Sequence, residues 1–147
     1  MKNFTIREYR GSFCLFDDNG KLVGEILHGY FINLKERIKI GDEIYSIKNT
    51  GFLWENMNIL DKDRRLVLRT DYSKNRIFHY GDYTGIYIYK YKGYKAYLYD
   101  NYDNLVLLID REKKFFDTIY KMEVGNNFNT VMVILGFLNL YIRSSDD

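Results

Sequence analysis

Proline is absent from the 147 residues, cysteine and tryptophan occur once each, histidine twice, and Ala96 is the only alanine. Each scarcity removes a class of protein. A lone cysteine, Cys14, can close no internal disulfide and build no thiolate metal cage, so neither a secreted disulfide scaffold nor a zinc domain is expected. With no proline and no Ser- or Gly-rich stretch there is no linker at which to divide the chain, and a single domain over residues 1–147 is expected. Excess charge of one sign is missing too: 22 Lys and Arg face 20 Asp and Glu, a formal net charge of +2. Nucleic-acid binders carry a strongly basic footprint, so no nucleic-acid partner is expected. The longest apolar run, Val131 to Ile142, is twelve residues with Gly136 and Asn139 inside it. A membrane-spanning helix needs about 20 apolar residues, so no transmembrane span is expected. Met1 to Glu8 lacks the apolar middle of a signal peptide, and a cytoplasmic location is expected. Phosphate loops of the GxxxxGK and GxGxxG kinds are absent.

What the chain does contain is apolar and aromatic. The hydrophobic fraction is 46%, with ten Phe and fifteen Tyr, enough burial potential to offset the entropy of ordering a chain. Ile, Val, Tyr, Phe, Leu and Thr dominate between turn signals at Asp18-Asn19-Gly20, Asn49-Thr50-Gly51, Tyr80-Gly81-Asp82, Lys92-Gly93, Asp100-Asn101 and Gly125-Asn126-Asn127. These residues suit a half-buried pleated surface, and the body of the chain reads as β. Arg37 to Ile40 and Ile44 to Lys48 alternate around the Gly41-Asp42 turn and are predicted to form a hairpin. From Ile86 to Lys92, alternation puts Tyr87, Tyr89 and Tyr91 on one face and Ile86, Ile88, Lys90 and Lys92 on the other; either face suits the interior.

Three windows of the chain resemble one another. FCLFDDNGKLVGEI (Phe13 to Ile26), MNILDKDRRLVLRT (Met57 to Thr70) and AYLYDNYDNLVLLI (Ala96 to Ile109) align without gaps. All three have apolar residues in columns three and four, Asp in column five (Asp17, Asp61, Asp100) and Leu-Val in columns ten and eleven. Each window is predicted to be a strand, a turn opened by Asp and a return strand. An Asp there accepts a hydrogen bond from the backbone N–H two residues on and so fixes the turn. A hairpin reused at spacings of 44 and 39 residues points to an all-β fold.

The run from Thr130 to Arg143 has neither polar alternation nor a turn signal. Its length suits a helix buried on every side, with Asn127 or Asn129 as N-cap and Arg143 favourably placed near the C-terminus. Its β-branched residues and Gly136 argue for a long final strand instead, and both forms stay open.

Turn-separated strands, the hairpin motif of Phe13 to Ile26, Met57 to Thr70 and Ala96 to Ile109, the hairpin of Ile38 to Lys48 and the apolar end Thr130 to Arg143 together resemble the tubby C-terminal-like superfamily. That group includes tubby domains, phospholipid scramblases and LURP-one-related proteins. The resemblance implies a mainly β fold: a closed antiparallel barrel of about twelve strands around a C-terminal hydrophobic helix. Closure removes exposed strand edges, and a helix fills an interior too wide for side chains alone. A β-trefoil is the alternative, since three repeats near 40 residues also fit one. The C-terminus discriminates, because a trefoil needs strands there.

No catalytic constellation can be assembled. His28 and His79 have no metal-ligand spacing with each other or with Cys14, and the calcium-loop pattern is missing around Asp17, Asp61 and Asp100. No enzyme activity, cofactor or metal is expected. Basic clusters occur at Lys35, Arg37 and Lys39, at Lys62, Arg64 and Arg65, and at Lys90, Lys92 and Lys95. Arg37, Lys39, Arg64 and Arg65 are candidates for meeting anionic lipid head groups. Tyr87, Tyr89 and Tyr91 are candidates for a protein partner, because tyrosine offers rigid contact area with a polar tip. The expected function is non-enzymatic binding, at an anionic membrane surface or, alternatively, to an unknown protein partner as a bacterial immunity or adaptor module.

Overall fold

The structure, a computed structural model, describes residues 1–28, 36–51 and 56–145. Twelve strands alternate inward apolar and outward polar side chains: β1 (Lys2–Tyr9), β2 (Ser12–Phe16), β3 (Leu22–Leu27), β4 (Arg37–Ile40), β5 (Glu43–Thr50), β6 (Asn56–Leu60), β7 (Leu66–Asp71), β8 (Arg76–Tyr80), β9 (Thr84–Lys92), β10 (Lys95–Tyr99), β11 (Leu105–Lys114) and β12 (Asp117–Val124). Each pairs antiparallel with its sequence neighbours, and β12 returns to pair with β1, which closes the barrel. The hairpin predicted around Gly41 is β4 and β5, with Ile38 opposite Tyr45.

The three similar windows are three copies of one hairpin, β2–β3, β6–β7 and β10–β11, with two strands between successive copies around the ring. In each, Oδ1 of the column-five aspartate accepts the N–H groups two and four residues on, at 2.9 and 2.9 Å for Asp17, 2.9 and 2.8 Å for Asp61, and 2.9 and 2.9 Å for Asp100. The column-eight residue is left-handed in every copy: Gly20 (φ 79°), Arg64 (φ 62°) and Asp103 (φ 65°). The pairing register slips after column three in all of them, so that Val23, Val67 and Val106 are extra residues that bend the strand.

The chain ends in helix α1 (Val131–Ser145), and Met132 to Ile142 are buried all round the helix. The C-terminal run is therefore a helix inside the barrel, and the strand and trefoil alternatives fall. Its start corrects the expected caps: the residue before the helix is Thr130, whose C=O accepts the Ile134 N–H, while Asn127 and Asn129 lie further back. Two glycines fit the helix to the wall. A Cβ at Gly24 of β3 would lie 2.5 Å from Leu135 Cδ1, and one at Gly136 would lie 2.9 Å from Leu68 Cδ1. Gly136, a cost to an isolated helix, here makes room for the Leu68 and Ile59 side chains. Where Gly24 stands in column twelve, the other two copies carry Leu68 and Leu107, so the helix presses closest on the first hairpin. No helix among the described residues is long and apolar enough to cross a membrane.

Candidate functional site

Because consecutive strands run antiparallel, the turns sort onto two ends. The turns β2–β3, β4–β5, β6–β7, β8–β9 and β10–β11 share the end at which α1 enters, where Tyr87 packs edge-on against Phe128 and shares a hydrogen bond with Thr130. Of the connections at the opposite, exit end, β1–β2, β7–β8, β9–β10 and β11–β12 are described in full, while β3–β4 and β5–β6 lie largely outside the described residues; there the Tyr141 hydroxyl of α1 donates to the Tyr94 carbonyl.

The candidate residues do not converge. Arg64 and Arg65 sit in the β6–β7 turn at the entry end, and Lys39 is close to that end on the outer face of β4, opposite Glu25. Arg37 is half-buried at the other end of the same strand. Lys35 lies outside the described residues. Of the tyrosine row, Tyr89 faces the interior, Tyr87 is half-buried and Tyr91 is exposed, so only Tyr89 is withdrawn from outside contact. Tyr89 is 1% exposed and packs at a tilt against Phe137 of α1, with ring centroids 6.0 Å apart, so no partner outside the barrel touches it. Burial raises its phenol pKa, and does the same for Tyr91, which packs edge-on against Tyr89 and shares a hydrogen bond with Ser144. Tyr91 retains partial exposure at the exit end.

Groups with chemical potential are engaged structurally. The Cys14 thiol donates to Glu25 Oε1 at 3.6 Å, and desolvation together with the Glu25 charge raises its pKa, the opposite of an activated nucleophile. Burial lowers the pKa of His79. Although desolvation opposes it, the N–H groups of Asn104 and Tyr102 and the Asn104 side chain hold the Asp100 carboxyl below its ordinary value. Among the described residues no three His, Cys, Asp or Glu side chains are grouped to hold a metal.

What the fold does gather is charge. Counting each turn with two residues on either side, the four exit-end turns above carry seven cations, Arg10, Lys74, Arg76, Lys92, Lys95, Lys113 and Lys114, against the three carboxylates of Glu8, Asp71 and Asp117. The entry end, counted likewise with the segment leading into α1, carries ten carboxylates against five cations. Lys2 and the terminal amine also lie beside the entry end. Among the described residues, the exit-end turns thus carry an excess of cations and the entry end an excess of carboxylates. Among the described residues, the exposed aromatic side chains Tyr9, Tyr72, Tyr91, Tyr94, Phe115 and Phe116 are at the exit end, and Tyr83 and Tyr102 at the entry end.

The four exit turns are also consecutive around the rim, in the order β7–β8, β9–β10, β11–β12, β1–β2. The Arg111 guanidinium lies 4.7 Å over the Tyr94 ring, and that of Arg10 lies 5.5 Å over Tyr9, so cations and rings are interleaved. Of this rim, Lys92 and Lys95 belong to one of the three basic clusters noted above, and Lys113-Lys114-Phe115-Phe116 is a further sequence signal, two cations followed by two aromatics. Comparison of the chain with protein-family models, with curated proteins and with solved structures finds no match.

Proposed function

We propose that this is a non-enzymatic, tubby-like barrel protein that binds peripherally to anionic membrane surfaces through its exit end. The single observation that carries the reading is the uneven charge of the barrel among the described residues: cations outnumber carboxylates seven to three in the exit-end turns, where most of the exposed aromatics also stand, and carboxylates outnumber cations at the entry end. Each Lys or Arg held near an anionic leaflet contributes on the order of 1 kcal/mol, so an excess of four cations supplies about 4 kcal/mol before screening. The opposing carboxylates do not cancel this. Eight-residue strands tilted in a barrel separate the two ends by roughly 20 Å, more than twice the Debye length of about 8 Å at physiological salt. Exposed tyrosines suit the head-group region, where a ring with a polar tip is favoured.

The tubby-like assignment is supported by the closed twelve-strand barrel around a C-terminal helix, the arrangement that the sequence resemblance implies. A cytoplasmic location fits, since anionic lipid is concentrated on cytoplasmic leaflets. The protein-module alternative loses part of its motive, because Tyr87 and Tyr89 pack on Phe128 and Phe137.

Flotation of the full chain with vesicles of phosphatidylcholine alone, or of phosphatidylcholine mixed with phosphatidylserine, tests the reading. Binding to the mixed vesicles only, weakening as salt rises, is expected. Equal recovery with both, or none with either, refutes it.

A further inference from the structure

The β11–β12 hairpin reaches beyond the barrel. Strand β10 pairs with β11 only as far as Ile109, and β1 pairs with β12 only as far as Lys121. Arg111 to Tyr120 therefore find strand partners only within this hairpin; Tyr120 packs edge-on against Phe13 and Tyr141 at its base, and beyond it the two strands stand as an arm above the exit rim. Lys114 pairs with Asp117, which leaves Phe115 and Phe116 as a two-residue turn at its tip.

That turn departs from ordinary turn chemistry in two ways. Two-residue hairpin turns favour Asn-Gly or Gly-containing pairs because they need positive φ, yet Phe115 adopts φ 56°, a conformation unfavourable for a bulky aromatic. Both phenylalanines are also wholly exposed, at 102% and 103% of their reference areas, while Phe13 and Phe137 are buried in the core. Strain and apolar exposure together at one tip are the signature of a site kept for contact. The surroundings favour a bilayer over a protein. Lysine is depleted at the centre of protein interfaces, but Lys113 and Lys114 directly precede the two rings. At a membrane the same order is apt: phenylalanines in the acyl boundary, lysines among the phosphates, and Tyr94 on the adjoining turn at head-group depth.

We infer that the arm is a membrane-inserting wedge, which seats Phe115 and Phe116 in the head-group and acyl boundary of an anionic bilayer and docks the barrel end-on. The inference rests on the membrane-surface reading above and adds to it the inserted element and the orientation.

The test compares the wild type with Phe115→Ser/Phe116→Ser in co-sedimentation with phosphatidylcholine–phosphatidylserine vesicles, with Phe116→Trp as a second probe. The arm lies outside the core, so the double variant should melt at the wild-type temperature and bind at least about tenfold more weakly. The Phe116→Trp emission should shift to the blue on vesicle addition, beyond any change from Trp54 in the wild type, and be quenched by lipids brominated near the glycerol. Wild-type and double variant binding equally, with the emission of Phe116→Trp unmoved, overturns the wedge while leaving the charge-based reading standing. A wild type that ignores the vesicles overturns both. Loss of a wild-type self-association in the double variant, with vesicle binding unchanged, overturns the wedge in favour of a second copy of the chain. Should the double variant fail to fold, the Phe116→Trp emission decides by itself.

Discussion

The column-five aspartates show how one residue type sets a local fold. Each Oδ1 already accepts two backbone N–H groups, which accounts for the placement of Asp17, Asp61 and Asp100 without a ligand. Asp100 also ties down the Asn104 side chain. Its folded pKa lies below the ordinary carboxylate value, so its contribution to stability is fully present above the unfolded value of about 3.9 and is lost as pH falls through the lower folded one. Urea midpoints measured from pH 5 downward should therefore drop more for the wild type than for Asp100→Asn. Because the group is largely exposed, the difference should stay below about 1 kcal/mol. A variant that follows the wild-type curve contradicts this account of the turn. These aspartates were legible from the repeat itself, since the motif encodes only local hydrogen bonds. The left-handed Arg64 was not, because the αL place in column eight is announced by glycine only in the first copy.

At the scale of elements, burial overrides propensity. Val131, Val133, Ile134 and Gly136 disfavour an isolated helix, yet a segment enclosed on every side must satisfy its own backbone, and only the helical form does so within one segment. Phe137→Ala removes a side chain packed on Tyr89 and should cost about 3–5 kcal/mol in chemical denaturation, whereas Phe116→Ser should change stability by less than about 0.5 kcal/mol. Similar losses for both would mean that the arm packs into the body. The hairpins and the apolar end could be read in advance because their signals are periodic or contiguous. The inner face of β9 could not, because Ile86 and Ile88 alternate with Tyr87 and Tyr89 and either row is apolar enough to be buried. The β11–β12 turn was hidden for a different reason: Phe115-Phe116 contains none of the residues that ordinarily mark a turn.

At the scale of the molecule, the proposed function rests on a property that no window of sequence carries. Net charge is near zero, and the basic clusters at Arg37 and Lys39 and at Arg64 and Arg65 stand out in the linear sequence as runs. Closure of the barrel sends alternate turns to opposite ends, which places Arg64 and Arg65 among carboxylates and assembles Arg10, Lys92, Lys95, Lys113 and Lys114 from three separate turns. A candidate site of this kind is illegible until the strand count and direction are known. The most direct measurement is vesicle binding by two charge-reversed proteins, Lys92→Glu/Lys114→Glu at the exit end and Arg64→Glu/Arg65→Glu at the entry end. Both lower the net charge equally, so a non-specific effect weakens both alike. The predicted result is at least about a tenfold loss for the exit-end variant and a change within about twofold for the entry-end variant; equal losses, or a larger loss at the entry end, would contradict the assignment of the membrane-facing end.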